Sequence, residues 1–150
     1  LGHAMRRRGR GRILIVSSIS AVRDLPGISY YGASKKYLRG FARALRTELA
    51  PHGVDVTCLL PGPTATGLYA QTGAPVELAR RLGVMMTPAA VAEAGLRALE
   101  RGAAECIPGL LTRALGRLTE LAPQALIEGA RRSPPAVALL RRAARDPDKL

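Results

Sequence analysis

The chain reads as an α/β protein built on a doubly wound parallel sheet, and three observations predict it. Short apolar runs alternate with longer segments whose apolar residues recur at helical spacing. The runs are continuous rather than alternating, as in strands covered on both faces. The connections between them are long enough to hold a helix, which implies parallel, right-handed crossovers.

Each element follows in order. Arg12 to Ser17 is a buried strand carried by Ile13, Leu14, Ile15 and Val16, and Pro26-Gly27 marks the loop behind it. From Tyr30 to Ala50 the spacing becomes helical, with Leu38, Phe41, Ala42, Leu45 and Leu49 as the stripe that should face the sheet. Pro51 and Gly53 end that helix. Val54 to Leu60, rich in branched residues, is the second strand and stops at Pro61-Gly62-Pro63. A looser segment over 64–86 follows. Thr87-Pro88 then supplies a capping residue and a proline at the first helical position, so a helix should run to about Arg101 with Gly102 as its stop. Ala104 to Pro108 is a short third strand. Beyond Gly109 only helical signals remain. Leu110, Leu111, Leu115, Leu118 and Leu121 can pack on the body or lie on a membrane surface, and packing is the expectation.

At 150 residues the chain fits one domain and can bury roughly two-thirds of the surface its unfolded form exposes. Cys58 and Cys106 form no CxxC pattern, which points to reduced core thiols rather than a disulfide framework or zinc site. His3 and His52 have no partners at metal-ligand spacing, so no metal site is assigned. The net charge of +12 comes from 20 Arg and 3 Lys against 11 acidic residues. These basic residues are scattered, and with five Phe or Tyr and no Trp there is little to stack on bases, which argues against nucleic-acid binding. Met5 to Ala21 imitates a secretory leader, but its apolar run ends at Val16, short of the roughly 7–15 residues a leader needs. No run approaches the ~18 apolar residues of a membrane span, so a cytoplasmic protein is expected.

Tyr31 and Lys35 stand one helical turn apart and share a face with Leu38, Ala42, Leu45 and Leu49. A Tyr-x-x-x-Lys pair alone is weak evidence, because a solvated helix face gives the same spacing. Its place is informative. A helix returning to a parallel strand begins at the carboxyl ends of the strands, where open α/β sheets bind ligands. Ser17 and Ser18 leave one strand there, and Pro61-Gly62-Pro63-Thr64 leaves the next. Three elements converge on one crevice. Hydride reduction of a carbonyl needs a proton donor for the forming alkoxide. A phenol is a poor base near neutral pH, and an ammonium beside it favours the phenolate.

VSSIS, then Tyr31-Gly-Ala-Ser-Lys35, then Leu60-Pro-Gly-Pro-Thr-Ala-Thr66 resembles the short-chain dehydrogenase/reductase family, in the C-terminal half of its Rossmann-like fold. The resemblance covers about Gly11 to Leu121. It implies an NAD(P)-dependent oxidoreductase in which Tyr31 is the acid/base, Lys35 tunes it and holds the nicotinamide ribose, and Ser18 binds the reacting oxygen. Ser18 is chosen because the family's serine stands thirteen residues before its tyrosine; Ser17 and Ser20 are read as structural. Pro61, Gly62, Thr64 and Thr66 would line the nicotinamide of NAD or NADP. Cys106-Ile-Pro-Gly-Leu-Leu and the leucine-rich basic stretch after it look like a bacterial subgroup of lipophilic or uncharacterised reductases. Leu68, Tyr69, Val84, Met85 and Met86 in the variable segment over 64–86 hint at a lipophilic carbonyl or alcohol substrate, although Met and Leu at such spacing more often belong to a core.

The family's glycine-rich phosphate loop, its NNAG stretch, its fourth catalytic residue and the residue that separates NAD from NADP have no match here. The expectation is therefore a partial or truncated chain. Residues 1–109 would be an incomplete catalytic domain, with the Arg12 to Ser17 strand left at an unpaired edge. Residues 110–150 would be a helical basic extension. The alternative is a non-catalytic fragment acting as an interaction or oligomerisation module. Ala33, Tyr37, Gly40 and Ala44 make a small-residue helix face suited either to close packing within the subunit or to a homo-oligomer, and the family's equivalent helix contributes to dimers.

Overall fold

Three parallel strands with helices between them form the computed structural model, which describes residues 2–24, 28–65, 80–81, 83, 85–121 and 129. In chain order these are helix α1 (Gly2–Arg8), strand β1 (Gly11–Val16), helix α2 (Ser29–Leu49), strand β2 (Val54–Leu59), helix α3 (Pro88–Glu100), strand β3 (Glu105–Cys106) and helix α4 (Leu110–Leu121). β1 pairs with β2 from Gly11 opposite Val54 to Val16 opposite Leu59. β2 pairs with β3 through Cys58 opposite Glu105 and Leu59 opposite Cys106. The order across the sheet is β1-β2-β3.

Alternation along the strands sends successive side chains to opposite faces. Val54, Val56 and Cys58 form one core with Ala42 and Leu49 of α2, and Ile13, Ile15 and Leu45 pack against it. On the other face Leu14 and Leu59 approach Gly95 of α3, where a Cβ would lie 2.8 Å from the Leu59 Cδ2. The two helices therefore cover opposite faces of a sheet whose strands advance in one direction. The connections that carry them consequently differ in hand, so both cannot be the right-handed crossovers the sequence suggested.

The ends behave as the capping residues dictate. Thr87 accepts a hydrogen bond from the Ala90 amide and Pro88 opens α3. Gly53 takes a left-handed φ of 67° behind α2, with its amide on the Ala50 carbonyl. Arg46 then staples this end of the molecule, donating to the carbonyls of Val56 (2.9 Å) and Gly102 (2.8 Å).

Four expectations change. The third strand is two residues long instead of spanning 104–108, because Pro108 has no amide to donate and Gly109 turns the chain with φ 83°. β1 is only half-covered, with Val16 exposed, since among the described residues it has a neighbour on one side alone. Phe41 does not face the sheet; it stacks on Tyr37, with ring centroids 6.2 Å apart and planes 9° from parallel, on the outer side of α2. The leucines of α4 do not form its buried face among the described residues: Leu111 and Leu115 only border the body, and Leu110, Leu118 and Leu121 point away from it. The helix docks instead through Thr112 and Gly116, which are buried, while Leu110, Leu111, Leu115, Leu118 and Leu121 stay exposed. Small side chains let its backbone come close, while Leu111 and Leu115 border the contact beside Ile19 and Pro63. Among the described residues no helix is long and apolar enough to cross a membrane.

Candidate active site

The parallel ladder between β1 and β2 continues past the strand ends and ties two loops together. The Ser17 amide donates to the Leu59 carbonyl, and the Ile19 amide to the Pro61 carbonyl, both at 2.8 Å. The serine turn and the Pro61-Gly62 turn therefore run side by side. Ser18 is the cap of a short 3-10 turn over Ile19–Ala21, its Oγ accepting from the Ser20 amide at 3.2 Å. That use leaves the hydroxyl proton of Ser18 for donation. Ser17 is buried, and its hydroxyl donates to the Lys35 carbonyl at 2.7 Å.

α2 starts beside this turn. Its amphipathic pattern puts Tyr31 and Lys35 on one side, and the Lys35 Nζ stands over the Tyr31 ring, 5.5 Å from the centroid. Such a cation–π contact is worth about 0.5–1 kcal/mol at a partly exposed site. Tyr31 is 45% exposed and Lys35 is half-buried, so both groups can reach a ligand. The Ser34 hydroxyl donates to the Tyr31 carbonyl at 2.7 Å and steadies the first turn, which lacks a side-chain cap. Lys36, on the next position, pairs with Asp24 at 2.6 Å. The hydrogen bond and charge of Lys36 hold the Asp24 carboxyl below its ordinary value.

One turn beyond Lys35 on α2, Arg39 clamps the helix to the sheet. Its guanidinium reaches both oxygens of Glu105 at 2.9 Å, Arg43 adds a bond at 2.7 Å, and Glu120 of α4 lies 3.6 Å away. Burial would raise the Glu105 carboxyl, but the bonds and charges of Arg39 and Arg43 outweigh it and leave it below the usual range.

Of the residues expected at the nicotinamide, Pro61 is fixed by its carbonyl to the serine turn, and the Thr64 hydroxyl donates to the Gly62 carbonyl at 3.0 Å. Thr64 also bridges to Met86, with the Ala65 amide on the Met86 carbonyl and the Met86 amide on Pro63. Thr66 lies outside the described residues, as do Leu68, Tyr69 and Val84 of the variable segment. Gly62 has a reason the sequence did not suggest: a Cβ there would fall 2.6 Å from the Thr112 side chain, so the missing side chain is what lets α4 sit on this loop.

Between the loop and the helix lies a cavity of about 110 Å³ lined by Ile19, Pro63, Leu111, Thr112 and Leu115. Sequence reasoning had named Pro63 in the turn and Leu111 and Leu115 as packing leucines, and passed over Ile19 and Thr112. The signals available were the adjacency of Ile19 to Ser18 and the small residues Thr112 and Gly116 one turn apart.

Comparison with known proteins bears on the fold and the family. The family model for short chain dehydrogenase matches residues 1–76, just over half of the 150. The chain is 43% identical over 83 residues to short-chain reductase protein NovJ of Streptomyces niveus, covering 55% of this chain and 29% of that protein. It is 34% identical over 125 residues to an uncharacterized oxidoreductase of Myxococcus xanthus, covering 83% of this chain and 47% of that one. A short chain dehydrogenase from Burkholderia cenocepacia, solved in complex with NADP, superposes with a TM-score of 0.67 at 31% identity over 83% of this chain and 50% of that one. The chain thus spans about half the length, or less, of these relatives. With its doubly wound sheet and more than half its residues matched, the chain belongs to the short-chain dehydrogenase family.

Proposed function

We propose that this chain carries the proton-transfer side of an NAD- or NADP-dependent oxidoreductase that interconverts a carbonyl and an alcohol, and that it corresponds to the second half of the family fold. The observation that carries the reading is the Lys35 ammonium over the Tyr31 ring, on a helical turn bonded to the serine turn. In the direction of reduction, the Tyr31 hydroxyl gives its proton to the forming alkoxide. The Ser18 hydroxyl donates to the same oxygen and stabilises the charge developing on it. Lys35 stabilises the phenolate left on Tyr31.

The residues present fit one end of a dinucleotide. Lys35 and the partly exposed Tyr31 offer donors to a ribose, and Pro61, Gly62, Thr64 and Thr66 would border the ring. The phosphate-cradling glycines would come from residues outside this chain. When bound, the dinucleotide supplies or accepts hydride. The Burkholderia relative was solved with NADP, which supports a nicotinamide cofactor here without deciding between the two forms.

The cavity beside Ile19 and Pro63 favours a lipophilic substrate. At about 110 Å³ it is somewhat smaller than the roughly 150 Å³ apolar cavity that takes benzene, a fit for a short hydrocarbon arm. Residues 1–109 would then be the catalytic portion and 110–150 a basic extension whose first helix walls the substrate side. In the full-length protein, Tyr31→Phe should nearly abolish turnover while NAD(P) binding, read by fluorescence titration, persists. Unchanged turnover removes Tyr31 from this role.

A second reading, a non-catalytic interaction or oligomerisation module, is favoured by one observation. Ala33, Tyr37, Gly40, Phe41 and Ala44 line an exposed face of α2, and a Cβ at Gly40 would meet nothing within 4 Å. A second copy is the occupant we propose for that face, and it is compatible with catalysis.

A further inference from the structure

We propose that Ser17, which the reading above leaves without a part in the chemistry, is a positioning residue whose hydroxyl sets where the Tyr31–Lys35 pair stands relative to Ser18. The inference rests on that reading of the site. Ser17 is 4% exposed, and its Oγ donates to the Lys35 carbonyl at 2.7 Å, from the end of β1 to the second turn of α2. A carbonyl inside a helix already accepts the amide one turn ahead. The Ser17 bond uses the second lone pair of that oxygen. It adds nothing to the helix itself and locates the helix against the strand.

The neighbouring bonds make this location matter. The backbone amides of Ser17 and Ile19 are held by Leu59 and Pro61, on the β2 side. The side chain of Ser17 reaches the opposite way, to α2. Ser18 stands between these anchors. Among the described residues no other side-chain hydrogen bond joins the 17–19 turn to the first two turns of α2. Tyr31 and Lys35 are one turn apart on a rigid helix, so a shift of the Lys35 carbonyl moves the phenol and the ammonium together, away from or toward the Ser18 hydroxyl. Displacement of reacting groups by about 1 Å can cost up to about a hundredfold in rate.

The test compares Ser17→Ala and Ser17→Thr in the full-length protein, with 2-octanone and acetophenone as ketones and loss of NADH or NADPH absorbance as the readout. Ser17→Ala leaves the helical hydrogen bond intact, so the fold should survive, as checked by thermal melting. The expected result is a fall in kcat of about tenfold, larger than the accompanying rise in KM for the dinucleotide, which Lys35 also helps to hold. The acid limb of the pH profile for the reverse oxidation should move upward, and Ser17→Thr, which keeps the hydroxyl, should restore most of the rate. Unchanged kcat and pH profile in Ser17→Ala overturn the proposal. So does a loss of rate shared equally by the alanine and threonine variants and tracking only their melting temperatures. A crystal structure of Ser17→Ala in which Tyr31 and Lys35 keep their places relative to Ser18 overturns it as well, whether or not either ketone is turned over. Tyr31→Phe run alongside separates the two ideas: its retaining turnover sinks the reading of the whole site, whereas an inactive Tyr31→Phe with an unaffected Ser17→Ala sinks the role of Ser17 alone.

Discussion

Glu105→Gln removes one charge from the clamp between α2 and β3 and nearly preserves its shape. The Glu105 carboxylate takes a two-pronged contact from Arg39, both arms 2.9 Å, plus one bond from Arg43 at 2.7 Å. The Arg39 side chain is 11% exposed and that of Glu105 23%, whereas Arg43 is 59% exposed. Removing one partner of a fully buried pair costs about 3–5 kcal/mol, and an exposed pair contributes about 0–1 kcal/mol. With most of the contact sheltered and glutamine still able to accept one bond, the loss should be about 2 kcal/mol near pH 7. For a chain of this size that is a fall in Tm of about 4–8 °C. The difference should depend on acidity in one direction. Glu105 titrates below its ordinary 4.5, so its contribution is complete above that pH and disappears as pH falls through the lower, folded-state value. Urea unfolding of both proteins near pH 7 and near pH 3 measures it. A gap of the same size at both pH values, or no gap near neutrality, refutes the reasoning.

Two further outcomes follow from close contacts and burial. Gly116→Val puts carbon where a Cβ already falls 2.7 Å from the Ile19 Cδ1; it should cost about 1–3 kcal/mol in urea unfolding and, by lifting α4, raise KM for 2-octanone more than it lowers kcat. Cys58 is fully buried, with its thiol pushed up to about 11 by burial, while Cys106 is half-buried. A thiol-specific reagent near pH 8 should therefore modify Cys106 first and Cys58 only as fast as the protein opens, as peptide mapping over time would show.

The alternation of strand and helix was legible because burial on two faces leaves continuous apolar runs and burial on one leaves a helical stripe, and both patterns survive in 13–16, 54–60 and 38–49. Thr87-Pro88 and Gly53 announced their turns because caps act locally. The Tyr31–Lys35 contact was legible for the same reason, being set by one helical turn. What failed to show was the part decided by tertiary contact. Phe41 fits the inward stripe by spacing, yet Tyr37 one turn back gives it a partner on the outer side. The leucines of α4 outweigh Thr112 and Gly116 in any hydrophobic count, but closeness of approach, not apolarity, chose the docking face. Gly62 looked like a ligand-facing glycine, and its crowding by Thr112 depends on a helix fifty residues away. The difference in hand between the two crossovers lies in no local signal at all.

The paired loops at the end of the sheet have a consequence for how this chain can change over time. Because the amides of Ser17 and Ile19 are laced to Leu59 and Pro61, neither loop can gain or lose a residue without unlacing the other. Insertions and deletions at 17–19 or 61–63 should therefore be far more damaging than replacements of single side chains there. Changes of length should be tolerated better outside these two loops, where the spacing of the reactive groups does not depend on them.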